Sequence, residues 1–67
     1  MFKVKYRVRC IKTEESWKDL IGRTGTVIGL YTISSFPVLV ELDVPLDFGD
    51  GEKLYLAEFK EEEVEIV

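Results

Sequence analysis

Leu20-Ile21-Gly22-Arg23-Thr24-Gly25-Thr26-Val27-Ile28-Gly29-Leu30-Tyr31 is the stretch that decides the fold. Gly22 and Gly25 stand three apart just ahead of a run rich in β-branched residues, so the backbone turns sharply and then extends into a strand over residues 26–31. Gly29 falls inside that strand, where a missing side chain marks a bulge, a bend or a close approach of another backbone. Small five-stranded barrels bend at such places.

Working outward toward the N-terminus, Phe2, Val4, Tyr6, Val8 and Cys10 alternate with Lys3, Lys5, Arg7 and Arg9. This period of two predicts a half-buried strand with a basic outer stripe. The stripe has two readings, a docking surface for an acidic partner or phosphate, and internal pairing with Glu61, Glu63 and Glu65 of the C-terminal segment. First and last strands of small barrels often pair, and facing opposite charges then contribute roughly 0.2–1 kcal/mol each. Internal pairing is the simpler expectation. Cys10 points inward and reads as a small core residue. Residues 13–20 form a long, partly helical loop in which Trp17 either seals the core or anchors a partner.

Toward the C-terminus, Pro37 has no N–H and forces Phe36 to be extended, so a third strand begins at Val38 and runs to Asp43. Residues 44–52, rich in Asp, Pro and Gly, read as an acidic loop closed by an Asp-Gly turn. Asp43, Asp47, Asp50 and Glu52 lack the regular alternation of a calcium-binding loop, so no metal site is expected. A fourth strand over residues 53–57 and a single 3₁₀ turn over 58–62 precede a last strand over 63–67. Phe59 is expected to plug the barrel, and the run 60–65 to be a solvated charged face. The prediction is all-β, one domain over residues 1–67 built as an SH3-like five-stranded barrel with a short 3₁₀ turn before the last strand.

Composition narrows the function. A chain of 67 residues buries only roughly 60% of its unfolded surface, so its core is one thin layer. With 46% hydrophobic residues and eight aromatics it has enough apolar mass to fold. One cysteine and no histidine exclude an internal disulfide and the usual zinc sites. The apolar runs are too short for a membrane span, and the expected setting is soluble, unprocessed and cytoplasmic. Residues 1–23 are net +4 and residues 24–67 net −8. Overall acidity makes nucleic acid an unfavoured partner, because phosphate binding needs a basic excess. Ser16, Ser34 and Ser35 have no base at readable spacing, so no enzyme and no cofactor is expected.

The segments 19–27, 36–40 and 59–66 resemble the variable chain of ferredoxin–thioredoxin reductase, with its Gly-x-x-Gly-x-Val loop, Pro-Val-Leu-Val strand and closing Glu-Val. With Glu15-Ser16-Trp17 and residues 36–43 the chain is also similar to photosystem I reaction-centre subunit IV. Where that subunit has basic residues after its third strand, this chain has Glu41, Asp43 and the acidic loop. The resemblance implies the barrel and the habit of sitting on a larger partner, including a ferredoxin-linked redox complex. The expected function is thus a non-catalytic protein-binding module or accessory subunit, monomeric or paired edge to edge. Trp17, Tyr31, Phe36, Phe48 and Tyr55 are its candidate contact residues, since a thin core hides few aromatics. Two alternatives stand beside it. The glycine loop also resembles the KOW motif of ribosomal and transcription-factor barrels, which would bind RNA or such a partner through Lys3, Lys5, Arg7, Arg9, Lys12 and Arg23. The other alternative is a small phage-type inhibitor of a host protein.

Overall fold

Five antiparallel strands form one sheet in the order β4-β3-β2-β1-β5, with β1 Arg7–Cys10, β2 Thr24–Leu30, β3 Val38–Asp47, β4 Lys53–Phe59 and β5 Val64–Ile66. This computed structural model describes residues 2–13 and 15–67, and for residues 15–17 the backbone alone. Two 3₁₀ segments, Glu15–Leu20 in the first connection and Glu61–Glu63 just before β5, are the remaining regular elements among the described residues. The architecture is all-β and five-stranded with a 3₁₀ turn before the last strand, as expected, and the first and last strands pair, with Arg9 opposite Glu65 and Cys10 opposite Val64.

The core follows from alternation. Val8, Val27, Val38 and Val40 are at most 1% exposed, and each contributes about 1.5–3 kcal/mol relative to a solvated side chain. Cys10, Leu20, Leu42, Leu46, Ala57, Phe59 and Val64 join them as the buried apolar residues among those described. Phe59 fills the interior as expected, 2% exposed.

Backbone irregularities bend the sheet, and three of them correct the sequence reading. The first strand does not run from Phe2. Lys5 has φ +78° in a turn closed by the Tyr6 N–H on the Lys3 carbonyl. The Lys5 N–H then donates to the Val27 carbonyl while the Val27 N–H donates to Tyr6, so two residues face one. This is a bulge of the kind normally built on glycine. It shifts the phase of the alternation, leaving Val4 about half exposed while Tyr6 still packs on the core.

The second correction concerns Gly25, which lies inside β2 rather than in the turn. A Cβ there would run into the Glu41 carbonyl and the Val40 side chain. Only glycine lets β2 approach β3 this closely. Gly22, at φ +89°, is the residue that makes the turn. Farther along β2, the register with β3 slips between Val27 and Gly29, the bulge expected near Gly29.

Third, residues 44–47 are strand, not loop. The β3–β4 register shifts between Glu41 and Leu46, and Pro45 sits in that gap, where no ladder bond is required of it. The hairpin beyond β3 is tied by the Asp47 and Asp50 carboxylates, which accept the Gly49 and Glu52 N–H groups at 2.8 and 3.3 Å. Those carboxylates hold their own loop.

Candidate functional site

The outer face of β1, β2 and β3 is closed by charge pairing. Arg7 and Asp43 lie on opposite sides of β2 and meet across it. The guanidinium donates to both Asp43 oxygens at 2.6 and 2.5 Å and to Thr26 Oγ1 at 3.0 Å. Thr24 Oγ1 donates to Asp43 Oδ2 at 2.6 Å. These hydrogen bonds, first from Arg7 and then from Thr24, hold the Asp43 carboxyl down to about 2. Arg9 reaches Glu65 at 3.6 Å and Lys12 reaches Glu62 at 3.8 Å.

Of the basic stripe, Arg7 and Arg9 are thus paired internally, as is Lys12 beyond it. For Arg7 the partner is Asp43 of β3, not a C-terminal glutamate as the alternation suggests. Arg23 donates to the Asp19 and Val44 carbonyls. Lys3 and Lys5 sit at the N-terminal turn, and among the described residues neither has an ion-pair partner.

Glu63 is a further correction to the solvated-face reading of residues 60–65, being 5% exposed. Its side chain accepts the Lys60 N–H at 2.7 Å, satisfying a free donor at the start of the 3₁₀ turn. Its carbonyl accepts the Ile11 and Lys12 N–H groups. Burial pushes the Cys10 thiol up, reinforced by the nearby Glu63 charge. Cys10 is thus a protonated core group, as its inward phase predicts.

The opposite side of the molecule is open. A groove of about 380 Å³ is lined by Leu39 and Phe36, by Leu54, Leu56, Ala57, Glu58 and Phe59 of β4, and by Thr13, Leu20 and Glu63 across from them. Ala57 and Phe59 face the core, whereas Leu56 and Glu58 alternate outward. β4 is the terminal strand of the sheet, and residues of both its faces, with Leu39 of β3, line this groove, referred to below as the seam.

The five aromatic candidates are distributed rather than gathered. Phe36 lines the seam, and Lys60 Nζ stands 5.5 Å from its ring centre, a cation–π distance. Tyr55, 60% exposed, projects from β4 itself. Tyr31 lines a separate shallow hollow with Phe2, Leu30 and Pro37. Phe48 lies beyond the far end of β3, in the hairpin. The Trp17 side chain lies outside the described residues.

Leu39, Leu54 and Leu56 are the groove residues that the sequence reading missed. The signal for the last two was the unbroken apolar run 54–57. A strand alternates its faces, so such a run must turn apolar groups outward. Among the described residues no helix is long and apolar enough to cross a membrane. Comparison with protein-family models, with curated proteins and with solved structures returned no match.

Proposed function

We propose that this chain is a non-catalytic protein-docking module, an accessory subunit that seats on a larger partner through the open side of its barrel. The observation that carries the reading is the apolar seam along β4, where Leu56 is 43% exposed and the adjacent Tyr55 60% exposed. Apolar and aromatic groups grouped in this way on a small domain are unfavourably hydrated, and the free energy falls when a partner covers them. The distribution of charge supports the same reading. Arg7, Arg9 and Lys12 already have carboxylate partners, which leaves a reduced basic surface for phosphate.

The test is affinity capture from an extract of the source cell at low and moderate salt, with mass spectrometry and nucleic-acid staining of what is retained. A stoichiometric protein that survives moderate salt is the expected result, and a ferredoxin-linked enzyme in that position would give the family resemblance a functional meaning. RNA or ribosomal material released as salt rises would overturn the docking reading in favour of the KOW-type one, because counterion release makes phosphate binding steeply salt-dependent.

A further inference from the structure

The two edges of the sheet differ in how they are protected. β5 is three residues long and carries Glu65, itself paired to Arg9. A short, charged edge offers little to a foreign strand. β4 is seven residues long, and its stretch Leu54-Tyr55-Leu56-Ala57 contains neither charge nor proline. It pairs with β3 alone. Among the described residues no turn, loop or cap bond involves the backbone of residues 53–59, so the N–H and C=O groups on the free side of β4 are a template for one more strand.

This strand is suited to pair with itself. The charged residues along and beside it are Glu52, Lys53, Glu58 and Lys60, two of each sign, and among the described residues none of the four is in an ion pair. Residues opposite each other across an antiparallel pair share a face of the sheet. Two identical strands related by a two-fold axis are therefore centred on one residue, and the choice of that residue fixes every pair.

Centring on Leu56, the midpoint of β4, uses the whole strand. It sets Leu56 against Leu56, Tyr55 against Ala57 and, just beyond the strand, Glu52 against Lys60, whose backbone is still extended. Lys53 and Glu58 then face the uncharged Phe59 and Leu54. Glu58 is diagonal to Glu52 of the other copy, but Lys60, two residues along on the same face, lies beside both carboxylates. The exposed ring of Tyr55 meets the smallest side chain of the strand. Centring on Tyr55 instead would set Glu52 against Glu58, and centring on Glu58 would set that residue against itself, and like charges directly opposite are destabilising. Centring on Ala57 avoids this but shortens the overlap within β4 to residues 55–59. Strand length and charge thus select the same register.

We infer that in the free chain the β4 edge is covered by the β4 edge of a second copy, the two antiparallel strands related by a two-fold axis at Leu56 and the two sheets joined into one. This goes beyond the docking reading. Below the dissociation constant of the pair the chain is a folded monomer with β4 free, so the larger partner and the second copy compete for one strand.

The experiment is sedimentation equilibrium of the full chain over roughly 10 µM to 1 mM, with amide exchange at both ends of that range. The mass is expected to rise with concentration from that of one chain to that of two, with new protection concentrated on residues 53–59. Leu56→Lys, which sets two cations face to face on the axis, should weaken the pair at least about tenfold. Lys60→Glu and Glu52→Lys should each weaken it about fivefold, and the double variant should return to within about twofold of the wild type.

The mass of one chain throughout would overturn the pairing, as would a mass growing beyond two chains, because a two-fold pair closes on itself. Protection that rises elsewhere and not on residues 53–59 would overturn the choice of edge. A double variant as weak as either single one would overturn the register about Leu56. A chain that stays monomeric while the extract experiment still retains a stoichiometric protein loses the pairing and keeps the docking reading; a chain that pairs but retains no protein does the reverse.

Discussion

Across β1, β2 and β3 four outward polar groups are tied to one another from strand to strand, whereas on β4 the exposed Tyr55 and Leu56 have no such strap and stand beside a groove. Arg7, Thr24, Thr26 and Asp43 form a hydrogen-bonded strap over three strands. Leu54 and Leu56 line a groove instead, and Tyr55 between them is exposed. The same sheet thus has one region strapped by its own polar groups and one where an apolar groove lies open. A surface whose groups are already paired gains little from a partner, so the open groove is where association is favourable.

Phe59 belongs to both sides of this comparison, being a core residue and part of the groove floor. Phe59→Ala should give the largest loss, about 3–5 kcal/mol. In a domain this small that abolishes a cooperative thermal transition, as circular dichroism would report.

The next effect in size is expected on the closed side. Asp43→Asn leaves Arg7 without its carboxylate and should lower the melting temperature, less so in high salt because the pair is exposed. Its pH signature is specific. The Asp43 carboxyl titrates at about 2 in the folded chain, below its ordinary value near 4 in an unfolded one. Its stabilisation is fully present above pH ~4 and is lost as pH falls from there through about 2. Asp43→Asn should flatten that part of the stability–pH curve, and an unchanged acid limb would show that the strap contributes nothing.

Smaller and opposite in sign is Lys5→Gly. The left-handed backbone at Lys5 costs a non-glycine residue more than the extra chain entropy of glycine, so a gain of about 0.5–1 kcal/mol is expected in urea unfolding. A loss instead would mean that the Lys5 side chain has a stabilising contact of its own. The smallest effect belongs to the open side. Tyr55→Ser should move stability by no more than about 0.5 kcal/mol, as befits an exposed position, while weakening partner capture. A large loss of stability there would mean that β4 is not a free surface.

Much of the fold was legible because barrels advertise their punctuation. Gly22 marks the turn, Pro37 the start of β3, and the inward positions Val8, Cys10, Val38, Val40 and Leu42 follow simple alternation. What was hidden depends on tertiary register. Lys5 adopts positive φ because a bulge faces Val27, and no local residue type announces it. Arg7 meets Asp43 across an intervening strand, a pairing that requires the β1–β2–β3 order. Glu63 is buried because its carboxylate serves the Lys60 N–H and its carbonyl serves residues 11 and 12, which a charge count cannot distinguish from a solvated run. The candidate site was half legible. Phe36 and Tyr55 were singled out as aromatics, but the seam that gives them a setting exists only because β4 ends the sheet.

The account is tested most directly by comparing the wild-type chain with a Tyr55→Ser/Leu56→Ser variant of unchanged thermal stability, both offered to the same source-cell extract at moderate salt. Retention of a stoichiometric protein by the wild type and its loss from the variant is the predicted result. Equal retention by both would contradict the assignment of docking to the open side of the barrel.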